Sequence, residues 1–409
     1  MGRHSLALLV VAVGVPALAA PPKKSVVVER TLETAIGLPM VYVQLRQGNR
    51  VLTGLATELE RLMGHDNVTR SFPAFLDTGA SAFVISSSTA RRFGIEATSD
   101  AVYHEVGLHG DVPMGVSRVY RLGLADYIDP ALGPGEFTIV RRDTRLQLSS
   151  SAEIPVWQQI AAGIDVIGMP AIEMLVIEIE PTPVENRRRP RGGRADDPLQ
   201  ALDELQELLR PPIVRLHGPQ RRPRNVDLVI ALEYMDFNRR HLPANSGPLP
   251  ELAPNPMITD ITVEDGGRTA TGDWLLDTGA AASIISSALA TKIGLLDAAG
   301  QPTRPPDFSL VMGGIRGSLI EDAGFIVDRL RVPADRGRTL EFRNVRVLVR
   351  DIGIQLGPDR VVVLDGVFGM NLLLPSATGL VDGAPDEVAD SAFKRIWIDG
   401  RRRTLSLQQ

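Results

Sequence analysis

Two aspartates, Asp77 and Asp277, stand 200 positions apart. Each opens an Asp-Thr-Gly tripeptide that ends an apolar run, Phe75-Leu76 in one case and Leu275-Leu276 in the other. A carboxyl at the end of a buried strand is costly unless it finds partners. A glycine two residues on lets the chain turn and brings backbone amides to the carboxylate. One such tripeptide alone would read as an aspartate capping a turn, with the threonine as its hydrogen-bond partner. Two in matching contexts imply a pair. Carboxylates in contact cannot both ionise easily, so a meeting pair shares one proton and titrates as a unit. The ionised member can take a proton from a water held between them, and the protonated member can donate to a carbonyl oxygen under attack. That is general acid–base hydrolysis of an amide, needing no metal, no cofactor and no covalent intermediate.

The contexts do match. FPAFLDTGASAFVISSSTARRFGIE (72–96) lies over GDWLLDTGAAASIISSALATKIGLL (272–296) without a gap, and DVIGMPAIEML (165–175) resembles DGVFGMNLLLP (365–375). Outside these, Gly37-Leu38-Pro39-Met40 before VYVQL resembles Asn255-Pro256-Met257 before ITDITV, a first strand in each half. YMDFNRRHL (234–242) resembles WIDGRRRTL (397–405), read as a closing strand in each half. The chain reads as an internal duplication. One lobe is placed at 25–243 and a second at 255–409, joined by a Pro- and Gly-rich linker at 244–254. Equivalent loops of two such lobes meet at a pseudo-twofold axis, which would set Asp77 against Asp277.

The elements that must position the pair are short β-branched runs such as MVYVQL, AFVIS, EFRNVRVLVRD and RVVVLDGVFG, bounded by Gly, Pro and Asp. A mainly β fold with a few short helices is expected. Each SSxxAxxxG segment, Ser87 to Gly94 and Ser287 to Gly294, predicts a short helix closed by glycine. Two insertions lengthen the first lobe. Residues 46–71 include TGLATELERLMG, which predicts a short helix. Residues 181–225 are Pro- and Arg-rich around DDPLQALDELQELLR, whose leucines recur at helical spacing.

The whole chain has 409 residues, a net charge of −5 and no cysteine. So small a charge gives no steering toward nucleic acid or a lipid surface. The absence of cysteine excludes disulfides and thiolate chemistry. Arg3 and His4, the apolar LALLVVAVGVPALA and Ala17-Leu18-Ala19 predict an export signal over 1–19, with a periplasmic or secreted mature chain. An uncleaved N-terminal anchor is the alternative; no other segment approaches membrane-spanning length. No set of histidines and acids shows metal-ligand spacing. Ser86–Ser88 and Ser286–Ser287 begin helices and have no neighbouring histidine for a triad.

FLDTGASAFVIS, WLLDTGAAASIIS and the paired segments Val166-Ile167-Gly168 and Val367-Phe368-Gly369 resemble the aspartic peptidases of the pepsin and retroviral-protease clan. Two lobes in one chain look like pepsin. Ala80 and Ala280 after the glycines look like the retroviral (retropepsin-like) enzymes and their bacterial relatives. The resemblance implies two β-barrel lobes, with Asp77 and Asp277 as the catalytic pair of an aspartic endopeptidase. Thr78 and Thr278 would cross-link the loops, Gly79 and Gly279 would supply amides, and Gly168 and Gly369 would end strands crossing the loops in a ψ shape. It also implies flaps, for which the candidates are the Gly-rich turns at Gly107, Leu108, His109 and Gly110 and at Gly313, Gly314, Ile315 and Arg316. Because alanine supplies no outer hydroxyl to stabilise the ionised carboxylate, activity is expected at mildly acidic pH. The expected partner is a peptide or protein substrate, bound by a monomer. The alternative is an exported peptide-binding or scaffold protein of the same fold with little turnover.

Overall fold

The computed structural model describes residues 25–55, 68–107, 110–129, 133–149, 165–184, 210–237, 248–313, 319–355, 361–379 and 385–409. The β-branched runs form strands, and the protein is mainly β with a few short helices. Burial along the strands follows their pleat. In Phe72–Leu76 the side chains of Phe72, Ala74 and Leu76 are buried while Pro73 is exposed, the period-two pattern of a strand with one face on the core.

Two large sheets carry the Asp-Thr-Gly segments, and the strand order around each segment is the same. In the first, Met40–Gln47 runs antiparallel to Phe72–Leu76, and Val166–Ile167 runs parallel to Phe75 and Leu76 on the other side. Val84–Ile85, Gln147–Ser149 and the hairpin of Ala97–Gly107 with Gly110–Ser117 follow. In the second, Asn255–Asp265 runs antiparallel to Arg268–Leu276, and Gly366–Phe368 runs parallel to Trp274–Leu276. Ile284–Ile285, Thr339–Val349 and the hairpin of Phe308–Gly313 with Leu319–Pro333 complete it. The predicted helices form at Ser87–Phe93 and Ser287–Ile293. The hydroxyls of Ser86 and Ser286 accept from the amides of Thr89 and Leu289, and Gly94 and Gly294 close the helices.

A third sheet is built from both halves of the chain, in the order Ile213–His217, Val176–Glu180, Arg395–Asp399, Thr404–Gln408, Leu228–Ala231. One apolar cluster runs through residues of both halves, from Val28 and Phe72 to Phe342 and Leu407.

The structure departs from the sequence reading at several places. Residues at the start of the first segment are hydrogen-bonded to the second: Val26–Val28 runs parallel to Leu340–Phe342, and Thr34–Ala35 pairs with Ser376–Ala377. A run such as VVV states that it wants a sheet and not which one. The similarity of 234–242 to 397–405 does not yield matching strands. Glu233–Met235 lies against Asn255–Met257, whereas Arg395–Asp399 sits inside the shared sheet. Gly54–Leu55, inside the predicted helix of the first insertion, is a strand paired with Val68–Thr69. The rest of that helix, the leucine-rich segment of the second insertion and the export signal lie outside the described residues. Among the described residues, no helix is long and apolar enough to cross a membrane.

Candidate active site

Asp77 and Asp277 each follow the last residue of a strand held on both sides. The Asp77 amide donates to the Ile167 carbonyl (3.0 Å) and the Asp277 amide to the Phe368 carbonyl (3.2 Å), so each aspartate inherits the position of two strands. The threonines then tie the loops together. The Thr78 amide donates to Thr278 Oγ1 and the Thr278 amide to Thr78 Oγ1, both at 3.0 Å. The Thr78 hydroxyl donates to the Leu276 carbonyl and the Thr278 hydroxyl to the Leu76 carbonyl, both at 2.6 Å. Both threonines are fully buried. Four reciprocal hydrogen bonds shielded from water fix the spacing of the two loops, since breaking any one strands a buried donor or acceptor.

Within this frame the two carboxyls lie in hydrogen-bonding reach of each other. Asp77 Oδ1 accepts from the amides of Gly79 (2.7 Å) and Ala80 (3.0 Å), and Asp277 Oδ1 from those of Gly279 (2.8 Å) and Ala280 (3.1 Å). Burial pushes the Asp77 carboxyl well above its ordinary range. The charge and hydrogen bond of Asp277 push the same way, and the Ala80 and Gly79 amides act against them. Burial also raises Asp277, opposed by its hydrogen bond to Asp77 and by the surrounding amides. Both aspartates remain partly exposed, so solvent reaches the pair. Carboxyls raised together in this way share a proton and present a base and an acid to the same small volume.

The glycines after the crossing strands have a steric reason. A Cβ on Gly168 would stand 2.1 Å from the Ala82 carbonyl oxygen, and one on Gly369 would stand 2.3 Å from that of Ala282. The Met169 amide donates to the Ala80 carbonyl (2.9 Å) and the Met370 amide to that of Ala280 (2.8 Å), which locks each crossing onto the loop it supports. Gly107 and Gly110 pair across the end of the first hairpin, and Gly313 pairs with Leu319 across the end of the second. Leu108 and His109 of the first turn, and Gly314, Ile315 and Arg316 of the second, lie outside the described residues.

Two residues of this neighbourhood are not singled out by the sequence. Asn255, 2% exposed, donates through Nδ2 to the carbonyls of Thr78 (3.1 Å) and Gly79 (2.9 Å). Asp165 starts the crossing strand of the first sheet. Its Oδ1 accepts from the Ser86 amide (2.7 Å) and its Oδ2 from the Thr89 hydroxyl (2.6 Å). The repeat does not mark it, because with Gly168 set on Gly369 the position matching Asp165 is Gly366.

Asp165 carries a stability prediction. Burial pushes its carboxyl up to about 6, against the opposing pull of the Thr89 and Ser86 hydrogen bonds. Between the ordinary value of 3.8 and about 6 the folded chain keeps a proton that the unfolded chain has released. Stability therefore falls as pH rises through that window, by about 3 kcal/mol at about 1.4 kcal/mol per pH unit. Asp165→Asn can accept from Ser86 and donate to Thr89 with no charge to bury. Urea unfolding at the two ends of the window should show a flatter pH dependence in the variant, and parallel curves would refute this.

No family model matches the chain, and no curated protein matches it. The chain is similar to a solved structure described as the crystal structure of Basic 7S globulin from soybean, at 10% identity, covering 91% of this chain and 97% of that chain with a TM-score of 0.37. The resemblance to the pepsin and retroviral-protease clan is corrected accordingly. With no family model and no curated relative matching the chain, it is not assigned to that clan or to its bacterial aspartyl protease type. Two short motifs fix local chemistry over a dozen residues each, and kinship over the whole chain does not follow from them.

Proposed function

We propose that this chain hydrolyses peptide bonds with a water activated between Asp77 and Asp277. The observation that carries the reading is the reciprocal Thr78–Thr278 cross-link, which holds two raised, partly exposed carboxyls within hydrogen-bonding reach. The ionised carboxyl removes a proton from the water as its oxygen attacks the scissile carbonyl carbon. The protonated carboxyl donates to the carbonyl oxygen, giving a tetrahedral diol. Return of a proton to the amide nitrogen releases the amine, and collapse of the diol leaves the acid. Proton sharing then resets the pair.

In this reading the two sheets that carry the aspartates are matching lobes about an approximate twofold axis, spanning 25–243 and 255–409 with a linker at 244–254. Both aspartates come from one chain, so the monomer is the working unit. The substrate is an extended peptide, gaining main-chain hydrogen bonds along the two hairpins. The signal at 1–19 directs the chain to the periplasm or the medium.

The test is incubation of the full mature chain with unfolded casein and a mixed peptide library across the acidic range, with products read by mass spectrometry. Internal cleavage that a statine-containing transition-state analogue blocks, with an optimum at mildly acidic pH, is the expected result. Tight peptide binding without cleavage at any pH would replace it with the scaffold reading. An optimum near pH 2 would refute the account of the raised pair.

A further inference from the structure

The two Asp-Thr-Gly loops are chemically alike, and the side chain of Asn255 hydrogen-bonds to the first of them. Its place in the fold is fixed by register. Met40 stands opposite Phe75 and Met257 opposite Leu275, each partner lying two residues before an aspartate. Two residues before these methionines stand Leu38 in the first half and Asn255 in the second. Asn255 reaches across to the loop of the first half, where carbonyl oxygens can only accept, so its amide nitrogen must face them.

The two carbonyls it holds belong to particular peptide groups. Thr78 C=O shares its peptide plane with the Gly79 N–H, and Gly79 C=O shares its plane with the Ala80 N–H. Those two N–H groups are the donors to Asp77 Oδ1, at 2.7 and 3.0 Å. A donor on the carbonyl end of a peptide group polarises its N–H end, and hydrogen bonds linked in this way strengthen one another. Asn255 therefore has one amide group feeding two chains that converge on one carboxylate oxygen. Leu38, at the matching place, has nothing to donate to the other loop.

We propose that Asn255 is a positioning residue that sharpens the two amide donors at Asp77, favouring the singly ionised state of the pair and making its two members unequal. The inference rests on the hydrolase reading above. The titratable group facing Asp77 is Asp277, and Asp77 faces Asp277; the other groups touching the two carboxyls are backbone amides. Removing Asn255 weakens what opposes the rise at Asp77, so the pair needs a higher pH to lose its first proton.

The experiment measures kcat and KM against pH on one cleaved peptide for the full chain and for Asn255→Leu and Asn255→Ser. Urea unfolding of the same proteins over the same pH range gives a readout that does not need turnover. Asn255→Ser adds no titrating group and keeps a single hydroxyl donor, which guards against a Leu variant that fails to fold. The acidic limb of kcat should move up by about half to one pH unit, with KM held within about twofold. Unfolding should show a steeper loss of stability with rising pH through the acidic range than in wild type. A uniform fall in kcat with an unmoved limb, or unfolding profiles parallel to wild type, would overturn the inference and leave the hydrolase reading standing. Failure of wild type to cleave would sink that reading, and the inference with it.

Discussion

Asp77→Asn and Asp277→Asn should each lower kcat/KM for peptide cleavage by about three orders of magnitude, while making the fold more stable near neutral pH. The loss follows from roles that one carboxyl cannot fill alone. An asparagine at either position can hold a water but can neither accept its proton nor donate one to the substrate oxygen. The gain follows from linkage. Burial raises both carboxyls above the ordinary value of 3.8, so over the acidic range the folded chain holds protons that the unfolded chain releases, and stability falls as pH rises. Asparagine removes one of these groups without removing its hydrogen bonds. At position 77 its oxygen can accept from the Gly79 and Ala80 amides, and its nitrogen can donate to Asp277. The measurement is kcat/KM beside urea midpoints at the two ends of the acidic range. Either variant retaining wild-type turnover would remove the basis for a two-carboxyl mechanism.

What the sequence disclosed was local chemistry. Ser86 and Gly94 are legible as helix ends because a cap is decided within a few residues, and the same holds for Ser286 and Gly294. Asp77 and Asp277 are legible because the tripeptide recurs with its flanks, and Gly168 and Gly369 because a steric need at a crossing repeats with them. Contacts between distant segments left no such trace. Nothing in the residues around Asn255 says that its amide will meet carbonyls 177 and 176 positions away. The strand Val26–Val28 could pair with any open edge, and its partner is chosen by where Leu340–Phe342 ends up. The likeness of 234–242 to 397–405 rests on an aromatic, an acid and a run of arginines, a pattern that surface hairpins share whatever sheet they join. Family kinship is easily over-read for a related reason: catalytic geometry can be specified by a few residues, and those residues do not report the rest of the chain.

The same geometry makes Gly79→Ala and Gly279→Ala as damaging as loss of a carboxyl, by a different route. A Cβ on Gly79 would stand 2.5 Å from Asp277 Cγ, with both carboxyl oxygens within 2.7 Å, and a Cβ on Gly279 would stand 2.5 Å from Asp77 Cγ. Ordinary carbon contacts need about 3.5 Å or more, so something must move by about an ångström. The loops cannot simply part, because the Thr78–Thr278 bonds hold them together in a buried frame. The carboxyl must turn instead, giving up the amide bonds that orient it and its reach to its partner. Turnover should fall by about two to three orders of magnitude, as displacement of a reacting group by about 1 Å can cost about a hundredfold before any loss of proton sharing is added. The fold should survive, since Gly79 and Gly279 are partly exposed. Gly135→Ala is the control: a Cβ there meets nothing within 4 Å, and both activity and the urea midpoint should stay at wild type. Alanine at position 79 or 279 with full activity would mean that the carboxyls do not act from where the glycines let them meet.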